Sequence, residues 1–280
     1  RPRPATGRCG RLLAVATVAA LAAACAAAPP GTTASPSVGS TPGPGAPGTS
    51  AHGASVNTTA PPGTTAPAPC TGARDCTLAA AAQRDGLLIG TAAKFGDPRR
   101  EELEAREFSA VTAENELLWG QIHPERDRWE FTKADRIVAF AEEHHLDLTA
   151  THFLWDPASY PSVVPDWVRA ITDPTELRRV MREHLQVLHD RYAGKIDRWN
   201  VVNEPVALGG HLDEANHFFR VLGPGYPAEA FAMAEQIWPE AQLVLNEDVV
   251  EYLPADADAL VALATQLRQG GARVDRVGLQ

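Results

Sequence analysis

Basic residues are too few for a phosphate-rich partner. The chain carries 25 Lys and Arg against 35 Asp and Glu, a formal net charge of −10 and a sequence pI near 5.4, which leaves no basic footprint for nucleic acid or acidic lipid. That acidity reads as a plain solvated surface and is compatible with most neutral ligands. Long apolar runs are lacking: residues 12–24 form an apolar stretch, shorter than the about 20 residues a membrane-spanning helix needs. Cysteine is scarce, at 4 residues. No glycine-rich phosphate loop follows the first predicted strand, which weakens a nucleotide-binding reading.

What is present begins with Arg1, Arg3, Arg8 and Arg11 ahead of the apolar run, the arrangement of an export signal. Leu21-Ala22-Ala23-Ala24-Cys25 resembles a bacterial lipoprotein signal, with Ala22 where leucine is usual. We expect residues 1–25 to be a signal segment of the lipoprotein type, with Cys25 carrying a lipid anchor at the cell surface. Residues 26–76 are dominated by Pro, Gly, Ala, Ser and Thr, too poor in large apolar side chains to offset the entropy of ordering them, and read as a flexible linker. Cys70 and Cys76 bracket a short polar loop, which an oxidising compartment favours closing as a disulfide.

From residue 77 onward short apolar or β-branched runs alternate with longer amphipathic ones. Strands are predicted over 86–92, 109–115, 146–155, 196–203, 242–246 and 274–279. Helices are predicted over 98–108, 132–144 with Thr132 as N-cap, 173–192, 228–237 and 254–269. Strands joined by helices lie parallel, so the fold class is α/β, with a doubly wound sheet and a closed barrel both compatible. Polar residues gather at the C-terminal ends of these strands: Glu114 and Asn115, Trp155 and Asp156, Asn203 and Glu204, Asn246 and Glu247, and Gln280. In a barrel those ends converge on one active site.

Glu204 follows an apolar strand, on a rigid rim that suits a general acid. Breaking a glycosidic bond requires a proton for the leaving oxygen and a second carboxylate for the cation-like sugar. Asn203 beside it suits a sugar hydroxyl. A lone Asn-Glu pair also describes a surface turn, and the pair alone does not decide between them.

The surrounding residues add a family likeness. Trp199-Asn200-Val201-Val202-Asn203-Glu204 resembles the Trp-Asp-Val-Val-Asn-Glu signature of glycoside hydrolase family 10, the xylanases. Thr112-Ala113-Glu114-Asn115 is similar to that family's Thr-x-Glu-Asn segment. Residues 131–140 resemble its Phe-x-x-Ala-Asp helix, 243–246 its asparagine-bearing fifth strand and 274–280 its Asp-Gly-Ile-Gly-x-Gln strand. The resemblance spans roughly residues 78–280 in consistent order and implies a (β/α)8 TIM barrel, of which residues 77–280 hold about the first six units. It implies a retaining hydrolase cutting internal β-1,4 linkages of xylan, without metal or organic cofactor. Glu204 becomes the acid/base, Asn203 the partner of a sugar hydroxyl, and Glu114, Asn115, Trp155, Asn246 and Gln280 the lining of the sugar site. The nucleophile is expected as a glutamate of a seventh strand, beyond Gln280. The alternative is a noncatalytic carbohydrate-binding relative or an inactive fragment of the same fold.

Leu118 stands where many members carry a sugar-binding lysine, and Thr151 and Asp156 where histidines are usual, so the preferred glycan is less defined than the reaction class. His152 reads as a packed barrel histidine, Trp119, Trp129, Trp167 and Trp238 as packing residues, and the cluster Glu142, Glu143, His144 and His145 as a solvated helix face rather than a metal site.

Overall fold

The computed structural model describes residues 76–280. The signal segment, its Cys25, nearly all of the linker and Cys70 of the expected bridge lie outside the described residues. In chain order the elements are α1 (Leu78–Arg84), β1 (Gly90–Ala92), α2 (Pro98–Glu107), β2 (Ala110–Ala113), α3 (Trp119–Ile122), α4 (Thr132–His144), β3 (Asp147–Ala150) and α5 (Asp166–Arg169). They continue with α6 (Pro174–Tyr192), β4 (Arg198–Asn203), β5 (Val206–Ala207), β6 (His211–Leu212), α7 (His217–Leu222), α8 (Tyr226–Ile237), β7 (Gln242–Glu247), α9 (Pro254–Gln269) and β8 (Arg276–Leu279).

Six strands form one sheet in the order β1-β2-β3-β4-β7-β8, all neighbours parallel, and β5 and β6 make a small antiparallel hairpin. This is part of a (β/α)8 barrel. Two of the long helices start where local chemistry starts them. Asp97 accepts from the Arg99 N–H with Pro98 opening α2, and Asp173 accepts from the Glu176 N–H with Pro174 opening α6. Thr132 is not the N-cap of α4: it is the first helical residue, and Phe131 before it caps without a side-chain bond. Phe131 is held by rings rather than by polar capping, 5.9 Å from Trp129 and 6.4 Å from Tyr192. The third strand is also shorter than expected; after Ala150 the chain leaves the ladder and rejoins β4 at Phe153, whose N–H donates to the Asn200 carbonyl at 2.9 Å, and at a Leu154–Val202 bridge.

The core lies between the outer sheet face and the helices. Trp199 of β4 packs edge-on against Trp238 at 5.3 Å, and both are buried. Trp119 stacks on His184 at 4.3 Å and on Phe153 and Phe218 at 6.2 and 6.0 Å. Trp129 and Trp167 pack on His123, at 3.7 and 4.6 Å. These tryptophans are packing residues. On α4, Glu142 and Glu143 are exposed, and Glu142 pairs with Lys195 at 2.9 Å.

Candidate active site

Parallel strands with helical crossovers all end on one side of the sheet. There Glu204 follows the last residue of β4 with φ 48°, a left-handed conformation that costs a non-glycine residue of order 1–3 kcal/mol. Its N–H donates to the Asn246 carbonyl of β7 at 2.9 Å. Its carboxyl is held from two sides: Trp155 Nε1 donates to Oε2 at 2.7 Å, and Gln280 Nε2 donates to Oε1 at 3.1 Å. Beside it Asn203 Oδ1 accepts from Asn246 Nδ2 at 2.6 Å and from Asn200 Nδ2 and Gln280 Nε2, each at 3.2 Å. Asn203 Nδ2 is buried with no hydrogen-bond partner in the protein.

Asn200 and Asn203 are three residues apart, and strict alternation would send them to opposite faces of the sheet. The register of β4 on β7 shifts between Asn200 and Val202, and this bulge resets the phase so that both amides meet. A close approach on the next strand completes the cluster. A Cβ built at Gly278 would lie 2.2 Å from Asn246 Oδ1, so only glycine leaves that amide room.

Trp155, Asn203, Glu204, Asn246 and Gln280 are thus joined by hydrogen bonds. Glu114 lines a groove that Asn246 and Gln280 also line, with Thr151 and His152 between, and its carboxylate lies 3.8 Å from Lys94 Nζ. Asn115 is exposed, and among the described residues no hydrogen bond ties its side chain to the other six. Lys94 lies two residues past the end of β1, and that position on the strand-end rim is the one sequence signal for it. Asp156 does not belong with the sugar-site residues: its buried carboxylate forms an ion pair with Arg169 and accepts from the His217 N–H at 2.6 Å. The Thr151 hydroxyl is buried and donates to the Ala113 carbonyl, with the Glu114 carbonyl at 3.2 Å. Leu118 is a core residue.

Burial pushes the Glu204 carboxyl above its ordinary range; Asp248 adds to the rise, and hydrogen bonds from Trp155 and Gln280 oppose it, as does the adjacent Asn203 amide, which lies near the carboxyl without meeting hydrogen-bond geometry. A carboxyl tuned upward holds its proton to higher pH than a free one, the direction a general acid needs. His152 is pushed down to about 3 by burial. It is therefore neutral at working pH and offers no proton; its ring packs on Trp155 at 4.8 Å.

Glu247, another of the strand-end polar residues, is 1% exposed at the end of β7. Burial pushes it up to about 8, Asp248 and Glu204 add to the rise, and the Val206 and Asp248 N–H groups pull the other way. The folded protein therefore holds a proton there that the unfolded chain releases near 4.5, and stability falls as pH rises through the window from 4.5 to about 8. Urea unfolding at pH 5 and pH 8 should show the parent losing more stability across that interval than Glu247→Gln. Parallel losses in the two proteins would refute this assignment of the proton.

A carboxyl tuned upward among amide side chains, on the C-terminal rim of a parallel α/β barrel, is the arrangement expected of the glycosidase class of barrel proteins. The model of glycosyl hydrolase family 10 matches residues 77–280, and the chain belongs to that family. It is 32% identical over 204 residues to endo-1,4-beta-xylanase A of Xylanibacter ruminicola, covering 69% of this chain and 53% of the relative. It is 33% identical over 215 residues to endo-1,4-beta-xylanase 2 of Claviceps purpurea, covering 75% and 64%. Among solved structures, xylanase 10B of Thermotoga petrophila in complex with xylobiose superposes with a TM-score of 0.67 at 30% identity, covering 73% of this chain and 63% of that one. The chain thus spans between half and two-thirds of the length of these relatives.

Proposed function

We propose that this chain supplies the acid/base side of a retaining endo-β-1,4-xylanase, acting on xylan or a related β-glycan outside the cell. The observation that carries the reading is the Glu204 carboxyl, raised by burial and aimed by Trp155 and Gln280. Glu204 gives its proton to the glycosidic oxygen as the bond from that oxygen to the anomeric carbon breaks and a carboxylate nucleophile bonds to that carbon. Water then attacks the glycosyl-enzyme, and Glu204, now ionised, takes the water's proton. Asn203 Nδ2 is a donor fixed in place without a protein partner, which suits a sugar hydroxyl that binds more tightly in the transition state. Retention places the nucleophile about 5–5.5 Å from the acid/base. Glu247 is a poor candidate, since both its oxygens accept backbone N–H groups. We assign the role, with the family resemblance, to a glutamate of a seventh strand. The relatives described above are xylanases, and the N-terminal arginines and apolar run support export, with Cys25 as the anchor.

The test is direct: the full-length protein incubated with xylan should release reducing ends, and proton NMR should show the β-anomer appearing first. Binding without hydrolysis would point to a carbohydrate-binding relative, and initial release of the α-anomer would exclude retention.

A further inference from the structure

Glu204 sits in a backbone conformation that its own side chain does not favour, and something must hold it there. The turn it opens runs through Pro205 to Val206. Pro205 has no N–H, so residues 204–206 offer two backbone donors. Both are taken by consecutive residues of β7: the Glu204 N–H by the Asn246 carbonyl at 2.9 Å, and the Val206 N–H by Glu247 Oε2, also at 2.9 Å. The second of these is a side chain reaching across from the neighbouring strand. Its other oxygen, Oε1, accepts from the Asp248 N–H at 3.1 Å, which fixes the carboxyl's own orientation. Glu247 is 1% exposed and Val206 half-buried, and leaving the Val206 N–H without its acceptor carries a cost.

We propose that Glu247 is a positioning residue for Glu204: by accepting the Val206 N–H it locks the turn in which the Glu204 backbone is left-handed, and so keeps the Glu204 carboxyl against Trp155 and Gln280. The inference rests on Glu204 being the acid/base only for its catalytic consequence; the clamp itself is a statement about the Val206 amide. What the position requires is an acceptor at the reach of a glutamate side chain. Glutamine meets that requirement at Val206 through its amide oxygen and gives up only the bond to the Asp248 N–H, aspartate falls one methylene short, and alanine has none.

Two readouts on the full-length protein test this. The first is hydrogen exchange of the Val206 amide and the chemical shift of the Trp155 indole N–H. In Glu247→Ala the Val206 amide should exchange at least tenfold faster and the Trp155 indole signal should move, while Glu247→Gln keeps both as in the parent. Parent-like protection of Val206 in the alanine variant would overturn the proposal. If that variant does not fold, Glu247→Asp replaces it: accelerated exchange supports the clamp and unchanged exchange refutes it. The second readout is leaving-group dependence. A displaced acid penalises poor leaving groups, so kcat/KM for xylo-oligosaccharides should fall at least tenfold more than for a dinitrophenyl glycoside in Glu247→Ala, with rescue in Glu247→Gln. A general loss of packing would lower both substrates equally, and that result overturns the positioning role. If Glu204→Gln itself shows no leaving-group dependence, the acid/base assignment fails, while the Val206 measurement still decides the clamp.

Discussion

Glu204→Gln in the full-length protein should slow xylan hydrolysis by about 10²–10⁴-fold, the usual contribution of a positioned general acid. Glutamine keeps an acceptor for Trp155 Nε1, now 2.7 Å from Glu204 Oε2, but gives up the one used by Gln280 Nε2; the shape is kept on one side and the proton is lost. An activated aryl glycoside departs without that proton, and its first step should run at nearly the parent rate. The second step still needs a base to take the proton of water, so the glycosyl-enzyme should accumulate. Azide, which attacks without base help, should restore turnover and leave a glycosyl azide. Burst kinetics and product analysis read both effects. Parent-level xylan hydrolysis by the glutamine variant would remove Glu204 from the chemistry altogether.

Asp156→Ala should lower the stability of the domain by about 3 kcal/mol, the low end for breaking a buried ion pair. The carboxylate is 3% exposed and its Arg169 partner 26%. The substitution leaves Arg169 with only the carbonyls of Val164 and Pro161, and the His217 N–H with nothing. Because that carboxylate joins the loop after β3 to α5 and α7, the loss should appear as a cooperative drop of roughly 6–12 °C in melting temperature for a domain of this size. A variant that melts with the parent yet loses activity would return Asp156 to the sugar site.

Much of the architecture was legible in the chain itself. Apolar strands such as 242–246 and helices with an acidic cap and a proline, as at Asp97-Pro98 and Asp173-Pro174, announce themselves because caps and periodicity act within a few residues. The range of α4, 132–144, is legible in the same way, but its cap is not: Thr132 has the right chemistry for a cap, yet Phe131 takes that place, packed against Tyr192, 61 residues further on, a contact invisible to local rules.

The same division runs through the site. Asn203, Glu204, Asn246 and Gln280 were identifiable because each ends a strand, and parallel strands must bring those ends together. Residue type and order alone determined this much, along with the family. Tertiary structure decided the rest: that a bulge turns Asn200 toward Asn203, that Asp156 faces Arg169 rather than a sugar, and that Glu247 reaches Val206 across 41 residues of chain. A carboxylate reads the same in sequence whether it meets a cation, a backbone amide or solvent, because its partner is chosen by distances across the fold, and burial then sets how strongly that choice is enforced.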